Sequence, residues 1–146
     1  MTTIAIDVEE WARLLGPSVI VAAYYALENE HRMEEWEALL HPDATSTHGV
    51  GGTPSTARLA DRIDSTLEYM TDMQSIVKWI TNVSDRVAVA EIEARGTYAD
   101  GRSFRAEVLG KYEFDEDLKV RHITVYPLHP DAVAEVIAAA RPVAKP

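Results

Sequence analysis

The sequence predicts a single α+β domain in which a curved antiparallel sheet wraps around N-terminal helices. Apolar residues recur at helical spacing through the first half of the chain, whereas period-2 alternation dominates from residue 76 to residue 126. Asp100-Gly101 falls between two of the alternating segments and is a strong two-residue hairpin signal, because glycine tolerates positive φ. Helices followed by a meander is an α+β order, and a curved sheet folding over such helices encloses a cone. A chain of 146 residues suffices for one such core.

The elements follow in order. Asp7 is placed to cap a helix over residues 8–15, and Gly16-Pro17 ends it. Ser18 is placed to cap a second helix over residues 19–30, with Ile20, Ala23, Tyr24 and Leu27 at helical spacing. A third, short helix carries Trp36, Leu39 and Leu40 and is expected to break at His41-Pro42-Asp43, since a residue before proline is pushed out of the helical region. Residues 44–48 read as a brief strand. Thr53 and Ser55 are candidate caps for a helix over 56–71. Four strands are then expected over 76–83, 87–98, 104–114 and 120–126, and Pro130-Asp131 opens an alanine-rich helix to about Arg141.

Charge narrows the partners. A net charge of -10 and the absence of a Lys/Arg stripe argue against nucleic acid and anionic membrane. No apolar run is long enough to span a bilayer, and no signal peptide is visible. Zero cysteines removes disulfides, thiolate nucleophiles and cysteine zinc sites, and fits a cytoplasmic protein.

Residues 87–97 carry the most specific pattern. Val87, Val89, Glu91, Glu93 and Arg95 share one face of a strand, and Ala88, Ala90, Ile92, Ala94 and Gly96 share the other. Two readings follow. In one, the strand floors a core at one end and lines a polar pocket at the other, with its alanine face flat against a partner. In the other, the charged half faces solvent.

Residues 22–27 (Ala-Ala-Tyr-Tyr-Ala-Leu), 36–45 (Trp-Glu-Ala-Leu-Leu-His-Pro-Asp-Ala-Thr), 84–89 (Ser-Asp-Arg-Val-Ala-Val), Asp100-Gly101-Arg102 and Lys119-Val120 resemble the NTF2-like superfamily, and within it the SnoaL-like branch of polyketide cyclases, ketosteroid isomerases and limonene-epoxide hydrolases. The resemblance covers residues 18–126 and implies an NTF2-like cone. It also implies residue roles. Counting from the Pro-Asp-Ala-Thr segment, the isomerases' tyrosine donor falls at Tyr24 and their carboxylate base at His48, while their second oxyanion donor, an acid, falls at Gly110. The epoxide hydrolases' Arg-x-Asp pair is replaced by Glu91-x-Glu93. The cyclases' acid near the last strand has no counterpart, although His122 can substitute if it faces inward.

The expected activity is therefore a cofactor-independent cyclase or isomerase acting on a hydrophobic oxygenated small molecule such as a polyketide or steroid-like ketone. His48 is the candidate base, Tyr24 the hydroxyl donor, and Glu93 or Glu91 the group that orients the imidazole or delivers a proton. Trp79, Trp36, Arg95 and His122 are the candidate substrate contacts, with Tyr25 turned elsewhere on its helix. No metal is expected, because these residues lack ligand spacing. A homodimer through the small-residue face of the sheet is expected. The competing readings are a non-catalytic ligand-binding or dimerisation module, and an epoxide-opening cyclase or hydrolase using Glu91 and Glu93.

Overall fold

A computed structural model describes residues 8–48, 55–61, 72–97 and 100–128. Helix α1 (Val8–Leu15) meets helix α2 (Ser18–Asn29) at Gly16, whose φ of +99° suits a residue without a Cβ. Asn82 straddles the joint: its Nδ2 donates to the Leu15 carbonyl at 2.8 Å and its Oδ1 accepts the Ser18 N–H at 2.8 Å. A Cβ on Gly16 would lie 2.6 Å from that amide. Ser18 thus contributes its backbone rather than a side-chain cap, and Pro17 holds the N-cap position.

Helix α3 (Met33–Glu37) is shorter than the sequence suggests, and strand β1 (Leu40–His48) begins at once. His41-Pro42-Asp43 lies inside this strand instead of breaking a helix. Pro42 is accommodated because the ladder to the neighbouring strand is interrupted between Leu40 and Thr45. A second departure follows. Ser55–Arg58 forms strand β2, antiparallel to β1, where a helix start was expected, and residues 59–61 are helical. The rest of that expected helix, Thr53, and the expected helix over 131–141 lie outside the described residues. Strands β3 (Gln74–Ser84), β4 (Val87–Thr97), β5 (Ser103–Phe114) and β6 (Val120–Pro127) form the meander.

The curved, open sheet has the order β2-β1-β6-β5-β4-β3. It is mixed rather than wholly antiparallel, because β1 runs parallel to β6. The α+β cone stands, with its first long strand laid beside its last.

Strand parity assigns the two faces. Ala88, Ala90 and Ile92 of β4, Tyr112 of β5 and Ile123 of β6 are buried in one core with Ile20, Val21, Tyr24, Leu27 and Trp36 of the helices. Small side chains let α2 lie close over β3 and β4. The alanine face is therefore covered by the chain's own helices, which corrects the expectation that a partner packs flat against it. The other face of β4 looks outward. There Val89 and Leu109 are buried with no helix over them among the described residues, in the company of long charged side chains.

Candidate functional site

Helix α2 places four polar or aromatic side chains against the inner face of the sheet. Asn29 sits at its C-terminal end, accepting the Ser75 N–H at 2.8 Å and donating to the Ser75 carbonyl at 2.8 Å. One turn earlier, Tyr25 reaches across the interior, and Tyr24 packs against Trp36 with ring centroids 5.3 Å apart. Glu28, only 5% exposed, has the Ser75 hydroxyl at 3.5 Å. Burial favours its neutral form and pushes its pKa up to about 7, with the Ser75 contact opposing the shift weakly. Burial likewise raises the phenol pKa values of Tyr24, Tyr25 and Tyr112, and the nearby Glu28 carboxylate adds to each shift. These phenols are proton donors throughout the physiological range.

Tyr25 and Tyr112 meet hydroxyl to hydroxyl at 2.5 Å, their rings perpendicular with centroids 6.2 Å apart. Gly110 makes room for this pair. A Cβ at position 110 would lie 2.3 Å from the Tyr112 hydroxyl, so that phenol occupies the space a side chain from Gly110 would fill.

The register brings His48 into the same neighbourhood. His48 pairs with Val125, and Val125 with Gly110, which pairs in turn with Ala90. All four share the inner face in one transverse row. His48 and Gly110 are two strands apart, about 10 Å at the usual inter-strand spacing. The adjacent row runs Ser46, Ile123, Tyr112 and Ala88. Ser46 is fully buried, and its hydroxyl has no hydrogen-bond partner among the described residues. Ser46 and His48 of β1 thus share the parity of Tyr112 and Gly110, Ser46 fully buried and His48 exposed.

The remaining sequence candidates do not join them. Glu91, Glu93, Arg95, Trp79 and His122 all lie on the outer face, because the register pairs Glu91 with Trp79 and Leu109, Glu93 with Glu107, Arg95 with Arg105, and His122 with Glu113. Glu93 is 2% exposed, held by Arg105 at 2.6 Å and Arg95 at 2.8 Å. The Arg105 hydrogen bond keeps its carboxyl below the usual range. Glu91 accepts the Trp79 indole N–H at 3.0 Å and pairs with Lys78 at 3.6 Å. His122 is fastened between Thr45 at 2.6 Å and Thr47 at 3.2 Å. Neither glutamate can orient His48 through the sheet, and the acid pair required for epoxide opening is likewise outside the cone. Trp36 lies in the core beside Tyr24 and does not line an open wall.

Three inner-face residues escaped the sequence reading. Tyr25 does not face away from the sheet, since two successive helix positions both reach a sheet that curves around the helix. Glu28 lies four residues after Tyr24, a spacing that puts both on one face. Tyr112 lies two after Gly110, the same-face spacing of a strand. Those two spacings were the available signals. Among the described residues no group of three or more His, Asp or Glu is placed to hold a metal ion, and no helix is long and apolar enough to cross a membrane.

The sequence profile of the SnoaL-like domain matches residues 21–123. No curated protein matches significantly. Solved structures do. The epoxide hydrolase/cyclase-like enzyme SalBIII, described in pyran ring formation in the polyether salinomycin, is 15% identical with a TM-score of 0.65, the match covering 79% of this chain and 92% of SalBIII. A Mycobacterium tuberculosis protein in complex with estradiol-17beta-hemisuccinate is 11% identical with a TM-score of 0.65, covering 80% of this chain and 97% of the other. TerC co-crystallised with polyporic acid is 15% identical with a TM-score of 0.63, covering 84% and 98%. At these identities the likeness is one of fold, and these last two neighbours hold small molecules.

Proposed function

This chain belongs to the SnoaL-like domain family, and on that premise we propose that it is a cofactor-independent acid/base enzyme, a cyclase or isomerase, acting inside the cone on a hydrophobic oxygenated small molecule. The observation that carries this reading is the inner-face row His48–Val125–Gly110–Ala90, in which an exposed histidine shares a face with the Tyr25–Tyr112 phenol pair that fills the space over Gly110. An imidazole titrates near neutrality and can remove a proton alpha to a carbonyl. The electron pair of the broken C–H bond moves onto the carbonyl oxygen as an enolate. Reprotonation by the same imidazolium at a different carbon completes an isomerisation; attack of the enolate carbon on a second carbonyl instead forms a C–C bond and an alkoxide, which takes the proton back from the imidazolium and so completes a cyclisation.

Turnover of a panel of cyclic enones and poly-β-ketones by wild type and His48→Ala tests the reading. The expected loss is about 100-fold or more, the usual scale for an acid-base group. Equal turnover would remove His48 from the chemistry.

A second reading, of a dimerisation module, draws on the outer face. Ile76 and Trp79 are exposed there beside Glu91, Glu93 and Glu107 paired with Lys78, Arg95 and Arg105, a charge-balanced patch suited to self-association. The homodimer belongs on this face and not on the alanine face. Sedimentation of Trp79→Ser against wild type tests it, a monomeric variant of a dimeric parent being the expected result. A cytoplasmic location completes the proposal, in keeping with a chain that contains no cysteine.

A further inference from the structure

Among the described residues, six large apolar side chains are exposed, and they fall into two separate patches. Ile76 and Trp79 belong to the outer face of the sheet. Trp11, Leu14 and Leu15 belong to α1, and Val83 stands near them at the end of β3, where Asn82 ties the strand to the joint between α1 and α2.

Helix α1 is more apolar than its packing requires. Of its five apolar residues only Val8 and Ala12 are buried, while Trp11, Leu14 and Leu15 are 52%, 71% and 58% exposed. Their spacing of i, i+3, i+4 makes them one ridge along the helix. The helix also lies ahead of residue 21, where the match to the SnoaL-like profile begins. The ridge is therefore an addition to the shared domain and not a part of its interior.

Beside the ridge runs a groove of about 650 Å³, between the end of α1 and the turns that join β3 to β4 and β5 to β6. Leu15, Val83 and Leu118 supply its apolar walls, and Arg13 and Arg86 are balanced around it by Asp85 and Glu116. Those four charges cancel on a chain that carries -10 overall. A second copy is thus repelled by the surface as a whole and least by this part of it. Ridge and groove share Leu14 and Leu15, so a two-fold axis beside α1 seats the ridge of each copy in the groove of the other and closes the pair. A small molecule in the groove would leave Trp11 in water, and an anionic membrane is opposed by Glu9 and Glu10 on the same helix.

We propose that α1 and this groove form a self-association surface, in which each groove is filled by the α1 ridge of a second copy. The surface is one short helix and two turns wide, the low end of specific interfaces, so its dissociation constant should be about micromolar. It is independent of the chemistry inside the cone and of the outer-face dimer. Where that dimer also forms, the two interfaces together build assemblies larger than a dimer.

Sedimentation velocity of the full-length chain over about 1–500 μM tests this, with Trp79→Ser as the background that removes the outer-face patch. Trp79→Ser should still dimerise at the upper concentrations. Adding Leu14→Glu should weaken that association by about 100-fold or more, because the two-fold axis buries the new carboxylate once in each copy. Leu14 is largely exposed, so the variant should keep the circular dichroism spectrum and melting temperature of its parent, which verifies its fold. A Trp79→Ser chain that stays monomeric throughout, or a folded double variant that associates as tightly as Trp79→Ser alone, would overturn the proposal. The two interfaces separate cleanly. Association abolished by Leu14→Glu and left intact by Trp79→Ser supports this surface and removes the outer-face dimer, and the converse pattern removes this surface and keeps the other.

Discussion

Asn29 holds Ser75 by both of its backbone polar atoms, accepting the N–H and donating to the carbonyl at 2.8 Å each. Strand β3 is the last strand of the sheet, so this side chain supplies the pairing that a further strand would have given. Asn29→Ala should lower stability by about 1–3 kcal/mol, because it leaves two backbone groups unpaired in a partly buried seam. Hydrogen exchange at the Ser75 amide should accelerate in the variant, and unchanged protection would show that the clamp is dispensable.

Glu28 makes stability depend on pH. Its pKa is raised from 4.5 to about 7, so the folded state binds the proton more tightly than the unfolded chain does. By linkage, stability falls as pH rises from about 4.5 to about 7 and levels off above that. The full span corresponds to at most about 3 kcal/mol. Urea unfolding of wild type and Glu28→Gln at pH 5 and pH 8 should show the variant gaining on wild type at the higher pH. A difference independent of pH would mean that Glu28 ionises normally.

Glu93 works in the opposite direction. Arg105 and Arg95 hold its carboxyl below the usual range, so its contribution is present at neutral pH and is lost as pH falls through and below the ordinary carboxylate range. Glu93→Gln should destabilise the protein at pH 7 and narrow its difference from wild type in acid. Ketone binding and turnover should be untouched, since the residue lies behind the sheet. A variant that is stable but inactive would return Glu93 to the site.

Gly110→Ala should cost about 1–3 kcal/mol through overpacking, because the new methyl meets the Tyr112 ring and hydroxyl at 2.3–2.7 Å in a buried site. A thermal melt measures the loss. A melt unchanged from wild type would show that the phenol moves aside freely.

The fold was legible where periodicity is strong. The alternation of residues 87–97 located β4 to within one residue, and α1 matched its expected bounds. Which face of β4 looks inward was not legible, because both faces carry apolar residues and the sheet's sidedness is decided by where α2 lies. The alternation allowed the charged half either to line a pocket or to face solvent; Glu91, Glu93 and Arg95 became site candidates on the first reading, and the register agrees with the second. β2 was hidden by its four-residue length and by threonine and serine, which suit caps as well as strands. His48 and Tyr24 were placed by resemblance and both lie on the inner side, yet it is Tyr25 that meets Tyr112.

The parallel pairing of β1 with β6 also governs how the cone is assembled. Its contacts join residues some 77 positions apart, as between Thr45 and His122, whereas β3, β4, β5 and β6 are joined to one another through short turns. Closing the longer loop costs more chain entropy, so local hairpins should order first. Pulse-labelled hydrogen exchange should find protection in β4 and β5 before β1, and simultaneous protection would contradict that order. The strand that carries His48 and Ser46 would then be the last long piece set in place, and a nascent chain would hold a half-cone with no imidazole in it until β6 has been synthesised.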